Sequence, residues 1–286
     1  MEAKTKNTSD LRFAASLYTP AGLKKTLSGN GQNYFFKTLN KFSTDRKMTA
    51  KRKICSVYKL IENNYRNEIV YKNAIFDMVV SNYKMENTVV FDEFKIGSSI
   101  ADVVMINGHC RVFEIKTELD KLDRLEEQIS DYLKFADEVY IVCSHVHSDA
   151  CKKIIDGSTV GLIVLDNHNK LKTIVKATRD TAKFNHAVLF KSLRVAEYSN
   201  ITRSITGFVP DVPNTKIFSA CYSAISSTDV SVFQRLVLKQ LKQRKLKYPE
   251  VLYSNKIPPA LRYSCNSIDI SRSQFDSLLA LLNKSI

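Results

Sequence analysis

The sequence has no apolar run long enough to form a membrane-spanning helix. Its longer apolar stretches, such as residues 139–143, are the size of a strand and far shorter than the roughly 18 residues that a membrane-spanning helix needs. The polar residues 1–10 are not followed by an apolar signal-peptide segment. We therefore expect a cytoplasmic protein with no membrane partner.

Proline and glycine are also scarce, at 6 and 8 of 286 residues, which excludes a collagenous or low-complexity chain. The six cysteines form no CxxC pair, and we expect reduced thiols. A zinc site of Cys143, His145, His147 and Cys151 is one interpretation, but the spacing fits no common zinc module and favours a loop with incidental histidines. Neither a phosphate-binding loop nor a serine nucleophile elbow is present.

Charge is distributed unevenly along the chain. Residues 1–66 hold 14 Lys and Arg against 4 Asp and Glu, residues 67–150 hold 8 against 16, and residues 151–286 hold 21 against 9. An acidic middle between two basic arms suits a protein that binds a polyanion with its flanks and cations with its centre. A solubilising surface charge is the alternative.

The periodicity of apolar residues predicts an α/β fold. Helical spacing over residues 66–80 is followed by three strands, at 88–94, 100–106 and 110–115, and by a helix over 119–136. Asn107-Gly108 is typical of a hairpin turn. Three further strands follow, at 138–143, 160–165 and 171–175, with a short helix at 149–155. We predict three regions: a basic helical extension (1–65), an α/β core (66–180) and a basic, mostly helical region (181–286).

The second and third strands carry the candidate chemistry. Glu114 and Lys116 are two residues apart and share one face of their strand, and Asp102 lies on the hairpin partner. Charged groups in such apolar strands need compensation, and a divalent metal suits converging carboxylates. Such a metal promotes phosphodiester cleavage, in which Lys116 could orient water or neutralise the phosphate. The other interpretation is an ordinary salt bridge of Lys116.

This order of residues resembles the PD-(D/E)XK nuclease superfamily. Its signature, an Asp followed by Glu-x-Lys on the next strand, is matched by Asp102 and Glu114-Ile115-Lys116, although Ala101 stands where Pro is common. Glu68 matches the Glu of the first core helix. Residues 128–132 match the Gln-x-x-x-Tyr helix of the RecB-like branch, found in small stand-alone bacterial or phage proteins.

The resemblance implies a restriction-endonuclease-like mixed sheet flanked by helices, with helical extensions at both ends. It also implies Mg²⁺, with Mn²⁺ able to substitute, held by Asp102, Glu114 and the Ile115 carbonyl with help from Glu68. Gln128 and Tyr132 would line the site. The function so implied is a DNA-cutting endonuclease of phage defence, restriction or repair. RNA cleavage, exonuclease action and a catalytically silent nucleic-acid-binding or regulatory module stay open.

Basic side chains outside the core are candidates for contacts with DNA phosphates. They lie near residues 230–245 and in the N-terminal region: Arg235, Lys239, Lys242, Arg244 and Lys245, and Arg46, Lys47, Lys51 and Arg52. A merely solvated charged face is the alternative. A homo-oligomer and a protein partner that licenses cutting are further expectations.

Overall fold

The computed structural model describes residues 7–42, 48–244 and 256–285. Its centre is a six-stranded mixed sheet in the order β1 to β6, so each strand pairs with its neighbours in the chain. Pairing is antiparallel at both edges and parallel for β3–β4 and β4–β5. The strands are β1 (Val89–Ile96), β2 (Ser99–Asn107), β3 (His109–Lys116), β4 (Glu138–Ser144), β5 (Gly161–Leu165) and β6 (Leu171–Val175).

Helices cover the two faces of the sheet. Before the sheet come α1 (Thr8–Ala15), α2 (Pro20–Leu27), α3 (Gly31–Phe42), α4 (Ala50–Asn64) and α5 (Glu68–Asn82). Within or after it come α6 (Leu125–Leu133), α7 (Ser148–Ile154), α8 (His186–Lys191), α9 (Val195–Thr206), α10 (Asn214–Ile225), α11 (Val230–Leu241), α12 (Pro259–Ser267) and α13 (Arg272–Asn283). The α/β fold class expected from the sequence is confirmed.

Two apolar cores lie on opposite sides of the sheet. On the first side, Val103, Met105 and Phe113 pack in one cluster with residues of α1–α5, α12 and α13. On the second side, Val104 and Val112 pack with residues of α6–α11. Alternate residues of a strand point to opposite faces, and strands buried on both sides are accordingly apolar almost throughout.

The N-terminal helices and the last two helices share the first core, although they are far apart in sequence. In α4, Ile54, Val57 and Ile61 are fully buried, because their spacing places them on one face of the helix. The predicted extension of residues 1–65 thus packs as one layer of the fold. The division into three regions stays a prediction.

Local hydrogen bonds explain where the predicted boundaries differ. The helix predicted over 119–136 begins only at Leu125, because the Asp120 side chain accepts from the Thr117 backbone N–H and hydroxyl, each at 2.7 Å, in a turn. In the region predicted as mostly helical, 181–286, the first helix is α8 at His186–Lys191, and α9 begins at Val195. Helices α2, α9, α10 and α12 lie in the two regions predicted as helical, but their individual positions were not predicted.

Gly108 forms the hairpin turn between β2 and β3 with φ of +70°, as its Asn-Gly sequence predicts. In the described part of the chain, no helix combines the length and the apolar character required to traverse a lipid bilayer.

Candidate active site

The site begins where β2 and β3 stop pairing. Their ladder runs from Asn107 and His109 to Val103 and Phe113. Beyond this ladder, the Asp102 side chain replaces the backbone of β2 as the hydrogen-bond acceptor for β3. Its Oδ2 accepts a hydrogen bond from the Ile115 N–H at 2.6 Å. The two strands therefore separate around a carboxylate, and a polar group lies between two apolar layers.

A local distortion of the β1–β2 hairpin places Asp102 there. Val103 and Met105 belong to the first core, whereas Ala101 belongs to the second, so the alternation of faces breaks at Asp102. Opposite it, Glu93 of β1 adopts a positive φ of 50°, which is rare outside glycine. The distortion turns Asp102 into the gap between β2 and β3.

Glu114 and Lys116 lie on the same face of β3, as predicted, and contact each other. The Lys116 Nζ donates to Glu114 Oε1 at 2.7 Å and to Gln128 Oε1 of α6 at 2.9 Å. Glu114 is only 2% exposed and Lys116 only 8%. Because each compensates the charge of the other, both can be buried in this apolar sheet.

Tyr132 contacts the second oxygen of Glu114. Its hydroxyl lies 2.7 Å from Glu114 Oε2 and 2.9 Å from the Ile100 carbonyl oxygen. Gln128 and Tyr132 are one helical turn apart, so α6 presents both to β3. Burial and the neighbouring Glu114 carboxylate raise the pKa of Tyr132, which keeps the hydroxyl protonated as a donor.

The carboxylates repel one another electrostatically. Burial raises the pKa of Asp102 well above its ordinary value, and the charges of Glu114 and Glu68 raise it further. The hydrogen bond from Ile115 and the charge of Lys72 act in the opposite direction. Burial and the neighbouring carboxylates together therefore disfavour the charged form of Asp102.

Glu68 is at the open side of the site, with its side chain 50% exposed, and its Oε1 lies 2.5 Å from the Lys72 Nζ. Lys72 also donates to Asp92 Oδ1 at 2.7 Å. Asp92 accepts in addition from the hydroxyls of Tyr263, at 2.5 Å, and Ser267, at 2.6 Å. Helix α12, from the far end of the chain, is therefore tied to the edge of the site.

Sequence reasoning missed this second layer of Lys72, Asp92, Tyr263 and Ser267. A signal was present in Glu68-x-x-x-Lys72, since a charged pair at that spacing shares one helix face. Lys72 lies within an otherwise apolar stretch of α5. For Tyr263 there was no local signal, because its partner Asp92 is 171 residues away in the chain.

The chemistry of the donor set fits a hard divalent cation. Asp102, Glu114 and Glu68 supply carboxylate oxygens, and their repulsion is what a cation would relieve. Across residues 7–42, 48–244 and 256–285, however, no three His, Cys, Asp or Glu side chains are grouped closely enough to hold a metal. Each Glu114 oxygen already accepts one hydrogen bond, Oε1 from Lys116 and Oε2 from Tyr132.

The predicted DNA-contacting residues do not lie on one surface. Arg235, Lys239 and Lys242 follow one face of α11 and its exit, on the second side of the sheet. Lys51 and Arg52 are on α4, on the first side. The Arg244 guanidinium is largely buried, and two of its nitrogens donate to the Glu197 carboxylate. Arg46, Lys47 and Lys245 lie outside the described residues.

The cysteine and histidine group near β4 separates into two parts. Cys143 and Cys151 are buried and their thiols interact, which raises the pKa of Cys143 and lowers that of Cys151. His145 and His147 are in a single turn of 3₁₀ helix after β4.

The sequence is similar to that of a phage protein and to a phage protein family. Protein cII of Enterobacteria phage P4 is 25% identical over 135 residues, which are 46% of this chain and 50% of that protein. The matched region thus spans half the length of this curated relative. No solved structure matches the chain. The family description Bacteriophage P4 protein cII matches residues 61–261, which include Glu68, Asp102, Glu114 and Tyr132. Since this match covers more than half of the sequence, the chain belongs to the Bacteriophage P4 protein cII family.

Proposed function

We propose that this protein is a metal-dependent nuclease of the PD-(D/E)XK type that hydrolyses phosphodiester bonds of DNA. One observation carries the proposal. Where β2 and β3 separate, Asp102 binds the N–H of Ile115, the residue between Glu114 and Lys116, and Gln128 and Tyr132 of the following helix contact Lys116 and Glu114. Five residues chosen by a sequence motif thus converge on one place, in the order along the chain that the motif requires.

Asp102, Glu114 and the Ile115 carbonyl would hold Mg²⁺ or Mn²⁺, and Glu68 would assist from the open side. When bound, the cation supplies Lewis-acid polarisation of the phosphodiester and offsets charge on the leaving oxygen. Glu68 is the most accessible of the four residues, so it is also the group that substrate and solvent meet first.

Lys116 neutralises charge at the scissile phosphate or orients the attacking water. In the structure its Nζ donates to Glu114 and Gln128. A lysine held between two acceptors has few rotamers available, so its charge is preorganised. Gln128 positions Lys116, and Tyr132 positions Glu114 by donating to Oε2.

Nucleic acid would be held by the basic surfaces of α11 and α4. Arg235 and Lys239 are exposed and one helical turn apart, which suits contacts to successive phosphates. An endonuclease of phage defence, restriction or repair, acting in the cytoplasm, accords with the resemblance. A homo-oligomer or a licensing partner would bring basic surfaces from more than one chain to the same DNA.

The experiment is a cleavage assay on circular and linear DNA and on RNA, with Mg²⁺, Mn²⁺ or EDTA. We expect metal-dependent cleavage that falls at least about a hundredfold in Glu114→Gln and Lys116→Met, because each removes a charge used in the transition state. Asp276→Asn, an exposed carboxylate on α13, is the matched control. Intact substrates under all conditions, or unaffected cleavage in both variants, would refute the proposal.

A second candidate is a nuclease-fold protein that binds nucleic acid without cutting it. It is favoured by the burial of Glu114 and by the hydrogen bonds that its two oxygens already accept from Lys116 and Tyr132. A fluorescence anisotropy titration with labelled DNA separates the two candidates. Tight binding without cleavage, insensitive both to Mg²⁺ and to Glu114→Gln, is the expected outcome for this second function.

A further inference from the structure

A pocket lies between the tip of the β1–β2 hairpin and the end of α8. Its volume is about 360 Å³, and it is lined by Lys95, Gly97, Val188, Lys191 and Ser192. Both lysines are exposed, and the described residues that line the pocket include no acidic side chain. The pocket therefore holds two positive charges that the sequence did not single out.

The charges of these two lysines are not offset locally. Within the part of the chain that the structure describes, neither lysine forms an ion pair. The carboxylate next to Gly97 is that of Asp131, and it already pairs with Lys134 at 2.9 Å and accepts from the Ser98 hydroxyl at 2.6 Å. Two like charges that line one cavity repel each other, so the pocket favours an anionic ligand.

On one side, the pocket adjoins the candidate active site. Lys95 is the partner of Ile100 in the β1–β2 ladder, and the Ile100 carbonyl accepts from the Tyr132 hydroxyl at 2.9 Å. The same hydroxyl lies 2.7 Å from Glu114 Oε2. Because paired residues of antiparallel strands are about 5 Å apart, only three short steps separate Lys95 from the proposed metal ligand. A polyanion with one phosphate at Glu114 can thus place another phosphate near Lys95.

On the other side, the pocket adjoins the basic end of α11. The Arg244 Nη2 donates to the Ser192 carbonyl at 3.2 Å, and the Arg244 guanidinium lies over the Phe94 ring, 6.0 Å from its centroid. Ser192 lines the pocket, and Phe94 immediately precedes Lys95. Lys242, at the exit of α11, is two residues before Arg244. The pocket therefore lies between the basic face of α11 and the candidate active site.

We propose that Lys95 and Lys191 together bind one backbone phosphate of the DNA, between the phosphates held by α11 and the scissile phosphate. The identity of the polyanion rests on the proposed nuclease function. A phosphodiester has two unesterified oxygens, so each ammonium can donate to one of them. At roughly 30 Å³ per water molecule, the pocket corresponds to about twelve waters, which is room for a partly hydrated phosphate. The contact adds affinity and no sequence preference.

The test measures DNA binding without cleavage, by fluorescence anisotropy of a labelled duplex in EDTA at a series of salt concentrations. In the double variant Lys95→Gln/Lys191→Gln, we expect binding about tenfold weaker than in the wild type. The slope of log K against log salt should fall by roughly 0.9, which is the value for one phosphate. Each single variant should keep most of the slope, because the remaining lysine still neutralises that phosphate.

Two further variants serve as controls. Lys95→Arg/Lys191→Arg keeps both charges and should retain the slope of the wild type. Lys216→Gln/Arg272→Gln removes two exposed charges on α10 and α13, outside this pocket, and should also leave the slope unchanged. Thermal unfolding of each variant checks that it folds, which we expect because both pocket lysines are exposed.

The proposal is overturned if the wild type does not bind DNA, or if the glutamine double variant binds as the wild type does. A fall in slope of roughly 1.8 would also overturn it, since the two lysines would then contact separate phosphates. So would an equal loss in the arginine double variant, because charge would not be the cause. Binding in EDTA is independent of cleavage, so a protein that binds in this way but never cuts would refute the nuclease proposal alone.

Discussion

At the scale of single residues, the candidate active site depends on hydroxyls as much as on charges. The Tyr132 ring is fully buried in the second core, while its hydroxyl reaches Glu114 and the Ile100 carbonyl. A phenol can combine these roles because one end of it is apolar and the other is polar. The side chain thus ties the packing of α6 to the position of a proposed metal ligand.

Tyr132→Phe removes only the hydroxyl. We expect unfolding stability to fall by about 1 kcal/mol, because one hydrogen bond to a buried carboxylate is lost, and cleavage to fall about tenfold as Glu114 loses its restraint. Urea unfolding and the DNA assay measure the two effects. The control is Tyr198→Phe, at a buried tyrosine for which the described residues show no hydroxyl hydrogen bond. Equal effects in both variants would contradict a positioning role.

Asp131 is the second residue whose charge is decisive. Its carboxylate accepts from the Ser98 N–H at 3.0 Å and from the hydroxyls of Ser98 and Ser99, and it pairs with Lys134. Despite burial, these donors lower its pKa. Gly97, at φ of +63°, leaves it room, since a Cβ there would collide with the carboxylate.

A carboxyl group whose pKa is lower in the folded than in the unfolded state stabilises the protein at pH values above its unfolded-state pKa. This stabilisation is lost as the pH falls through the folded-state pKa. Asp131→Asn should therefore cost about 2 kcal/mol at pH 7, and the difference from wild type should shrink once the pH drops below about 4. Urea unfolding between pH 3 and pH 7 provides the measurement. A constant difference over that range would show that charge is not the cause.

At the scale of elements, a buried ion network joins α5, β1 and α12. Lys72 is 4% exposed and lies between Glu68 and Asp92, and Asp92 also receives the hydroxyls of Tyr263 and Ser267. The Coulomb attraction of these charges raises the pKa of Lys72, although burial alone would lower it. Three elements from distant parts of the chain are thereby fixed relative to Asp102.

Removing one partner of such a network leaves a buried charge unpaired. We expect Lys72→Met and Asp92→Asn each to cost about 3 kcal/mol. In the double variant both buried charges are gone and only the half-exposed Glu68 keeps its charge, so the cost should be at least about 1 kcal/mol below the sum. A double-mutant cycle in urea tests this coupling. Simple additivity would mean that Lys72 and Asp92 do not stabilise each other.

At the scale of the whole molecule, the sheet separates two apolar cores, and each core contains residues that are far apart in the sequence. Helix α4 and the C-terminal helices α12 and α13 complete the first core. Asp137 links the helices on the second side of the sheet to β3. Its carboxylate accepts from the Cys110 N–H of β3 at 2.8 Å and from Gln234 Nε2 of α11 at 3.0 Å. The sheet is stable only while both layers cover it.

We therefore expect the fragment 66–180 not to fold alone. The fragment keeps α5 but loses α1–α4, α12 and α13 from the first side of the sheet and α8–α11 from the second. Apolar residues of both cores would then be exposed to water, and exposed apolar faces of this kind aggregate. Circular dichroism and gel filtration of the fragment, beside the full chain, are the measurements. A monomeric fragment with cooperative unfolding would support the three-region division predicted from the sequence.

The position of the basic helices predicts how DNA binding responds to salt. Replacing Arg235, Lys239 and Lys242 of α11 with glutamine should weaken binding and reduce the slope of log K against log salt by up to about three, at roughly 0.9 per lost phosphate contact. Anisotropy titrations between 50 and 300 mM salt measure it. Arg272→Gln on α13 is a single-charge control, and an unchanged slope in the triple variant would exclude α11 from the interface.

Local pattern was sufficient to predict much of the central sheet. Alternating apolar residues and the Asn107-Gly108 turn predicted the β2–β3 hairpin, and the placement of Glu114 beside Lys116 follows from the period of a strand. Helices such as α9 and α10 lie in the region predicted as mostly helical, but their positions were not predicted, because their apolar spacing is interrupted and their ends are set by capping contacts. One example is the Glu197 side chain, which accepts from the Arg194 N–H at 2.6 Å.

The sequence by itself determined the α/β class, the order of the core elements and the residue types of the candidate site. All of these depend on spacing along a few consecutive turns or strands. Only the tertiary structure decided that Asp102 binds the Ile115 N–H, that Tyr263 reaches Asp92, and that the basic residues of α4 and α11 are on opposite sides of the sheet. These contacts join residues that no short-range pattern relates, because they are set by how whole layers pack.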